Sequence, residues 1–538
     1  MTAAAPASSP AGGTADPAAS RPARARNLLF VMCDQLRADH LSCYGHPSLR
    51  TPALDALAAR GTLFENAFVQ SGVCGPSRMS FYTGRYVSSH GATWNRVPLS
   101  VAEHTLGDYL REAGRGLALT GKTHVMPDRE GLARLGLDGD AELGALLARG
   151  SFTEALRHDG HHAEPRSRYA DWLRAQGYRG DDPWTDWVIA VNTPDGGTAS
   201  GWHMRNVHLP ARVREEHSET AFTVGEAIDF VRRAGDSPWA LHLSLVKPHW
   251  PYVAPAPYHA MFEAGDALQV HRDPRERLDP HPVYGAYLRH EESRNFARDE
   301  VWSRVRPAYM GLVRQVDDHL ARLWAVLEEL GRWDDTLVVF TADHGDYLGD
   351  HWLGEKELFH DVVQRVPLIV AAPGQRAPGR RETRLVEAID VVPTALQALG
   401  LPPARHRVEG ESLLPLLDGE APTAWREAAF SELDYAYRRA RLLLGREPDA
   451  CRAWMVRTAR WKYVHWRGLP PQLFDLADDP HEYLDRGRDP GLEGVRDEMR
   501  DRLREWSLGL KCRTTVGLDA VAASTDAYKR AGVFYGQW

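Results

Sequence analysis

The pentapeptide Cys74-Gly75-Pro76-Ser77-Arg78 is the segment whose residue types and spacing point most clearly to chemistry. Proline suits the first position of a helix, so Pro76 predicts that Cys74 lies just before a helix N-terminus. Free N–H groups and the helix dipole attract anions there, and the guanidinium of Arg78, one turn later, can bind a tetrahedral anion through two hydrogen bonds. The alternative is that Cys74 is a small buried residue ahead of a helix, without chemistry of its own.

Acidic, basic and imidazole side chains follow four short apolar runs of the chain. Continuous apolar runs bounded by turn residues are typical of buried parallel strands, and ligands bind outside the carboxyl ends of such strands. We therefore expect these side chains to meet at one edge of a sheet. The runs and the residues that follow them are 28–32 with Asp34, 116–120 with Lys122 and His124, 239–246 with Lys247 and His249, and 336–340 with Asp343 and His344.

Helical patterns separate these runs from one another and from a fifth apolar run at 367–372, which also predicts a buried parallel strand. Alternation of strands and helices predicts an α/β fold with a mostly parallel central sheet flanked by helices on both faces. The predicted helices cover residues 51–60, 104–113, 218–233, 306–330 and 389–399.

The composition of the chain changes along its length. Residues 1–26 are rich in Ala, Pro, Ser and Gly and lack an apolar segment, which predicts a disordered leader rather than a secretory signal. A catalytic α/β domain is predicted over residues 27–420, with an irregular insertion at 127–215 that shapes the pocket. Residues 421–538 are predicted to form a smaller α+β subdomain with a small antiparallel sheet, a helix and a tail.

The overall composition argues against several classes of protein. The 538 residues carry a formal net charge of −8, which argues against a nucleic-acid-binding protein, and no apolar run is long enough to cross a membrane. Five widely spaced cysteines argue against zinc fingers and a disulfide framework and favour a reducing, cytoplasmic location. Only six residues are lysines. Because arginine supplies nearly all of the positive charge, each lysine is a candidate for a specific role.

The Cys-x-Pro-x-Arg pattern at Cys74 resembles the recognition motif of the type I, formylglycine-dependent sulfatases in the alkaline phosphatase superfamily. The resemblance extends from Asn27 to about residue 510, and it is nearest to the branch that contains phosphonate monoester hydrolases, choline sulfatases and arylsulfatases. It implies an alkaline-phosphatase-like fold. The segments that carry it are Asp34-Gln35, Asn95, 248–251, 254–259, 315–318, 343–346 with Lys356, 462–465 and 473–476.

The resemblance implies that a formylglycine-generating enzyme oxidises Cys74 to Cα-formylglycine after translation. The hydrated aldehyde would attack the sulfur of a sulfate monoester and form a covalent sulfo-enzyme intermediate, assisted by one divalent metal ion. The metal would lie between Asp34, the modified Cys74, Asp343 and His344, and would be calcium, manganese or magnesium. His344 stands where well-known sulfatases carry asparagine, and imidazole favours manganese over calcium.

The resemblance also assigns roles to five residues around the reacting group. Lys122 would bind a sulfate oxygen, and His124 would act as the base that completes the reaction. His249 and Lys356 would bind the transferring group and protonate the leaving alkoxide. Asn95 would contact the substrate.

Two features of the sequence bear on the substrate, a small-molecule sulfate or phosphonate ester. The Lys-x-His pair at Lys122 favours sulfate, because the phosphonate hydrolases of this branch carry Tyr and Thr at these two places. A site with fewer carboxylates than the well-known sulfatases would, in contrast, ease binding of a dianionic phosphorus ester. The leading function is a metal-dependent sulfuric ester hydrolase, and the alternative is a phosphonate monoester or phosphodiester hydrolase on the same site.

Two other functions stay open: a sulfuryl or phosphoryl transferase, and a non-catalytic homologue with an unmodified Cys74. The tail residues 533–535 are apolar for an exposed end, and related hydrolases are often dimers or tetramers. Together these features predict a homo-oligomer.

Overall fold

The structure, a computed structural model, describes residues 23–137, 139, 141–160 and 167–536. Most of the predicted leader, residues 1–22, lies outside the described residues. Arg24 and Ala25 donate backbone hydrogen bonds to the Ala398 carbonyl at 2.8 and 2.9 Å. The end of the segment assigned to the leader is therefore packed on the body of the protein, unlike the prediction.

The strands form one large sheet and two small ones. They are β1 (Asn27–Asp34), β2 (Thr62–Phe68), β3 (Leu117–Gly121), β4 (Phe152–Arg157), β5 (Ala190–Asn192), β6 (Thr198–Ser200), β7 (Ala240–Pro248), β8 (Thr336–Ala342), β9 (Arg365–Ala371), β10 (Arg380–Glu387), β11 (Ala428–Asp434), β12 (Arg452–Thr458), β13 (Trp461–Trp466) and β14 (Gln472–Asp475). The large sheet has the order β10-β2-β9-β8-β1-β7-β3-β4, and β5 pairs with β6.

The strands β8, β1, β7, β3 and β4 lie side by side and run parallel, which confirms the four predicted strands that carry polar residues at their ends. The fifth predicted strand, β9, is antiparallel to both β8 and β2, so its predicted direction was wrong. Six of its seven residues are buried. A strand that is covered on both faces is a continuous apolar run whether it is parallel or antiparallel to its neighbours, so the run does not indicate the direction.

The helices are α1 (Pro52–Arg60), α2 (Cys74–Thr83), α3 (Val87–His90), α4 (Leu106–Glu112), α5 (Arg129–Arg134), α6 (Glu142–Ala148), α7 (Arg168–Ala175), α8 (Glu219–Ala234), α9 (Pro282–Tyr287), α10 (Glu291–Phe296), α11 (Asp299–Glu329), α12 (Asp361–Gln364), α13 (Val391–Ala398), α14 (Leu414–Leu417), α15 (Arg439–Leu443), α16 (Glu493–Gly509) and α17 (Leu518–Ser524). The helices α8 and α11 pack on β7, α1 packs on β9 and α13 packs on β8. None of the helices in the described part of the chain combines the length and apolar character needed to span a bilayer.

The longest helix, α11, begins at Asp299 and continues through Pro307. The predicted start of this helix is residue 306, seven residues later than the start in the structure. Val301 and Val305 are buried on the same side of α11 as the residues that follow. Tertiary packing therefore extends the helix beyond the point at which local propensity would begin it.

A separate C-terminal sheet has the order β11-β12-β13-β14 and is antiparallel throughout, which confirms the predicted antiparallel pair. The helix α16 packs on β12 and β13. The buried side chain of Lys462 joins this sheet to the body, since its Nζ lies 2.5 Å from Asp361 Oδ1 and donates to the Phe359 carbonyl at 2.8 Å.

Residues 127–215 are more regular than the sequence analysis expected. They contain α5, α6, α7, the β5–β6 pair and β4, which pairs in parallel with β3. Part of this segment therefore completes the large sheet, and another part packs on the body, where the Ala211 N–H donates to the Ala254 carbonyl at 3.0 Å.

Candidate active site

Four neighbouring strand ends bring most of the predicted site residues together. The strands β8, β1, β7 and β3 run in the same direction, so their carboxyl ends lie along one edge of the sheet. Asp34 ends β1, and Asp343 follows β8 directly. His249 follows β7, and Lys122 follows β3. Parallel pairing therefore delivers these side chains to one edge, as the apolar runs predicted.

Four buried side chains form a set of candidate metal ligands: one ligand atom from each of Asp34, Cys74, Asp343 and His344 lies within 4.8 Å of the others. Cys74 Sγ is 3.1 Å from His344 Nε2 and 3.8 Å from Asp34 Oδ1. His344 Nδ1 is 2.8 Å from the Gly345 carbonyl, which fixes the tautomer that turns the Nε2 lone pair toward the cluster. Two carboxylates and an imidazole nitrogen suit a divalent cation.

The buried guanidinium of Arg78 spans the two carboxylates of this cluster. Its Nε donates to Asp343 Oδ2 at 2.7 Å, and its Nη2 donates to Asp34 Oδ2 at 3.1 Å. Its Nη1 donates to Ser244 Oγ at 2.8 Å and to the Lys122 carbonyl at 3.0 Å. Arg78 therefore orders the acidic residues, whereas the sequence analysis expected it to grip the substrate anion. Two buried carboxylates need a buried cation, and this requirement sets the direction of the side chain.

The charges around the cluster keep Asp34 ionised. Burial alone would raise the pKa of Asp34, but neighbouring positive charges, led by Lys122, hold it well below its usual value. Burial, with a contribution from Asp34, raises the pKa of Cys74 to about 11, so an unmodified thiol stays protonated at neutral pH. Burial also lowers the pKa of His344, which favours the neutral imidazole that binds metal ions.

Lys356 contacts Cys74 from another side. Its Nζ lies 3.3 Å from Cys74 Sγ and 3.0 Å from His249 Nε2. His249 Nδ1 is 2.7 Å from the Trp250 carbonyl. Because a carbonyl only accepts, Nδ1 carries the hydrogen and Nε2 accepts from the ammonium. Burial lowers the pKa of Lys356, but Cys74 and Glu355 raise it by more, so the ammonium is retained.

Gln35 is a site residue to which the sequence analysis gave no role. Its Oε1 accepts from Lys356 Nζ at 2.9 Å, and its Nε2 donates to Asp346 Oδ2 at 2.6 Å. Its backbone N–H donates to Asp343 Oδ1 at 3.0 Å. The φ angle of Gln35 is 64°, a conformation that few residues other than glycine adopt. Its position directly after Asp34, in a pair that carries the family resemblance, is the signal that could have identified it.

Three further predicted residues lie around the cluster. Lys122 is buried, and its Nζ pairs with Asp34 Oδ2. His124 is partly buried just beyond β3 and has a left-handed backbone with φ of 57°. Asn95 Oδ1 accepts from the Gly75 N–H at 2.7 Å. Lys122 thus joins the cluster directly, whereas Asn95 acts on it through the first turn of α2.

Residues 26–401 match the family model for sulfatases, and residues 349–508 match the model for the C-terminal region of N-sulphoglucosamine sulphohydrolase. The first match covers well over half of the chain. The chain belongs to the sulfatase family. The family predicted from the Cys74 motif is therefore confirmed.

This sulfatase-family chain is similar to proteins of more than one specificity. It is 33% identical to a multifunctional alkaline phosphatase superfamily protein of Trinickia caryophylli, over 91% of this chain and 96% of that protein. It is 30% identical to a choline-sulfatase of Rhizobium meliloti, over 86% and 83% of the two chains. The solved structure of the phosphonate monoester hydrolase from Silicibacter pomeroyi matches with a TM-score of 0.81 and 30% identity, covering 91% of this chain and 96% of that one. The predicted alkaline-phosphatase-like fold is confirmed.

Replacing Arg78 by methionine should destabilise the metal-free protein, because the variant leaves Asp34 and Asp343 buried without their shared cation. We expect the free energy of unfolding to fall by about 3–5 kcal/mol. Urea unfolding in the presence of a chelator measures this loss.

Ser244→Ala is the matched control for Arg78→Met, since it removes one acceptor of Arg78 and keeps both ion pairs. Its expected cost is about 1 kcal/mol. Equal losses in the two variants would contradict the role given to the guanidinium.

Proposed function

We propose that this protein hydrolyses sulfate monoesters of small molecules, with residue 74 as the nucleophile after conversion of Cys74 to formylglycine. The observation that carries the proposal is the surroundings of one atom. Cys74 Sγ lies 3.1 Å from His344 Nε2, which is another member of the metal-ligand cluster. The same sulfur lies 3.3 Å from the ammonium nitrogen of Lys356. A group at this position touches both the candidate metal site and a proton donor.

The donor set supports one divalent cation, held by Asp34, Asp343, His344 and the modified residue 74. Bound there, the cation supplies Lewis-acid polarisation of the ester and lowers the pKa of a hydroxyl that it contacts. The imidazole of His344 favours manganese over calcium, and magnesium is a third candidate. Arg78 holds both carboxylates in place through its hydrogen bonds to Asp343 and Asp34.

A hydrated aldehyde at residue 74 supplies the hydroxyl nucleophile that a thiol with a pKa of about 11 does not supply at neutral pH. Lys122, buried beside Asp34, is the cation for a sulfate oxygen. Lys356 Nζ lies 3.0 Å from His249 Nε2, so these two residues share a proton next to the nucleophile and protonate the leaving alkoxide. His124 is proposed as the base for the second half of the reaction and Asn95 as a pocket residue.

Hydrolysis of phosphonate monoesters or phosphodiesters on the same site is the second candidate. The similarity to a phosphonate monoester hydrolase, with a TM-score of 0.81, favours it, and so does the small number of carboxylates in the cluster. The buried Lys122 favours sulfate as the faster substrate.

Several wider features of the protein belong to the same proposal. Maturation requires a formylglycine-generating enzyme in the producing cell. The protein is proposed to be a cytoplasmic homo-oligomer with a catalytic domain over residues 27–420 and a C-terminal subdomain over 421–538.

Cys74→Ala should reduce the turnover of 4-nitrophenyl sulfate by about a thousandfold or more, because the nucleophile is removed. A chelator should abolish the activity of the parent protein, and manganese should restore it. Initial rates with 4-nitrophenyl sulfate and phenyl methylphosphonate measure both the loss and the substrate preference.

Cys512→Ala is the control for Cys74→Ala, because Cys512 is an exposed thiol; it should retain full activity. A faster phosphonate reaction would favour the second candidate. Turnover by Cys74→Ala or by metal-free protein would contradict the proposed chemistry.

Lys356→Met should slow esters of poor leaving groups more than esters of good ones. The proton shared with His249 matters most when the leaving oxygen is basic, and general acid catalysis contributes about 10²–10⁴-fold. We expect kcat/KM to fall by about 10²-fold or more on phenyl sulfate and by much less on 4-nitrophenyl sulfate. The exposed Lys529→Met variant is the control. An equal loss on both esters would assign Lys356 to binding alone.

A further inference from the structure

The ammonium of Lys247, at the carboxyl end of β7, holds the segment that carries His249. Lys247 Nζ donates to the backbone carbonyl of His249 at 3.3 Å and to that of Pro251 at 3.0 Å. The carbonyl of Trp250 lies between these two along the chain. Lys247 is buried, and a hydrogen bond is stronger there than in water. One side chain therefore holds the backbone on both sides of the Trp250 carbonyl.

The direction of the Trp250 carbonyl decides how the imidazole of His249 is used. His249 Nδ1 donates to this carbonyl at 2.7 Å, which leaves Nε2 as the acceptor for Lys356 Nζ at 3.0 Å. A hydrogen bond at one ring nitrogen fixes both the tautomer and the orientation of a histidine. A displaced Trp250 carbonyl would release the ring and lengthen its contact with Lys356.

A buried carboxylate, Glu219, balances the charge of Lys247. Glu219 Oε2 lies 3.4 Å from Lys247 Nζ, and both side chains are buried. Burial would raise the pKa of Glu219, but Lys247 and a hydrogen bond from His158 lower it to about 2, so the carboxylate is ionised at neutral pH. An ammonium in the interior needs such a partner, because an unpaired buried charge is strongly destabilising.

Glu219 also joins this ion pair to the segment 127–215. Its Oε1 accepts from His158 Nε2 at 2.7 Å and from Trp184 Nε1 at 3.4 Å. His158 directly follows β4, and Trp184 lies in the later part of the same segment. Contacts thus continue from this segment through Glu219 and Lys247 to the backbone around His249.

We infer that Lys247 is a positioning residue, which fixes the tautomer and the orientation of His249 through the Trp250 carbonyl. The inference rests on the proposed function, because it takes His249 and Lys356 to protonate the leaving alkoxide. Lys247 acts through the backbone and not on the reacting group. A lysine that served the fold alone would contribute to stability, but not to the dependence of the rate on the leaving group.

Lys247→Met tests the inference, because methionine has a similar length and cannot donate to the carbonyls. Misalignment of His249 should lower kcat/KM on phenyl sulfate by about tenfold or more and on 4-nitrophenyl sulfate by about twofold or less, with KM unchanged. In a Lys356→Met background the same substitution should cost about twofold or less on phenyl sulfate, since the shared proton is already lost. Steady-state kinetics of the parent, the two single variants and the double variant measure these ratios.

Lys511→Met is the matched control, because Lys511 Nζ also donates to two backbone carbonyls, those of Arg405 and Val408, at 2.6 and 2.5 Å. Neither carbonyl belongs to the site, so this variant should leave both rates unchanged. Combining Lys247→Met with Glu219→Gln removes the unpaired carboxylate, and this pair of substitutions carries the same predictions if the single variant does not fold.

Crystal structures of the parent and Lys247→Met proteins give a readout that does not depend on turnover. The distance from His249 Nε2 to Lys356 Nζ should increase to more than about 3.5 Å in the variant. The inference is overturned if the hydrogen bond is kept, if both esters lose rate equally, or if the losses from Lys247→Met and Lys356→Met are additive. A parent protein that turns over neither sulfate ester, together with a lengthened distance in the variant, would count against the proposed function alone.

Discussion

Two carboxylates, Asp34 and Asp343, are buried at the carboxyl edge of the sheet, and the arrangement of the site follows from their charge. Removing an ionised carboxylate from water costs several kcal/mol unless cations and hydrogen-bond donors replace the solvent. Arg78 spans both carboxylates, and Lys122 pairs with Asp34. The direction of the Arg78 side chain follows from this constraint. Cys74 lies one turn before Arg78 on α2, so its Sγ lies 3.8 Å from Asp34 Oδ1.

The loop after β8 brings Lys356 back to Cys74, and its backbone is strained. Positive φ angles of 46, 53, 60, 67 and 98° occur at Leu348, His351, Trp352, Glu355 and Glu357. Asp350 anchors this loop, because its carboxylate accepts from the buried guanidinium groups of Arg37 at 2.7 Å and Arg306 at 2.6 Å. Residues in such conformations persist only where the surrounding structure fixes them, and they concentrate at functional sites. Buried ion pairs thus support both the carboxylates of the metal-ligand cluster and the loop that carries Lys356.

The sequence predicts which residues meet at the carboxyl edge of the sheet. Buried parallel strands are visible as apolar runs, and the polar residues that follow these runs converge at one edge whatever the conformation of the loops. The sequence does not predict the direction of β9, since burial on both faces hides strand direction. The contacts of Arg78 depend on carboxylates that are distant in sequence, so no local pattern predicts them. The role of Gln35 depends on a left-handed backbone, and only its place directly after Asp34 points to it.

The central claim is that residue 74 acts as formylglycine at the metal-ligand cluster. The most direct measurement is the mass of the tryptic peptide that contains residue 74, taken from catalytically active protein made in a cell with a formylglycine-generating enzyme. Conversion makes this peptide about 18 Da lighter than the thiol form, and the account predicts that the lighter fraction rises in proportion to specific activity. Fully active protein in which residue 74 is entirely an unmodified thiol would contradict it.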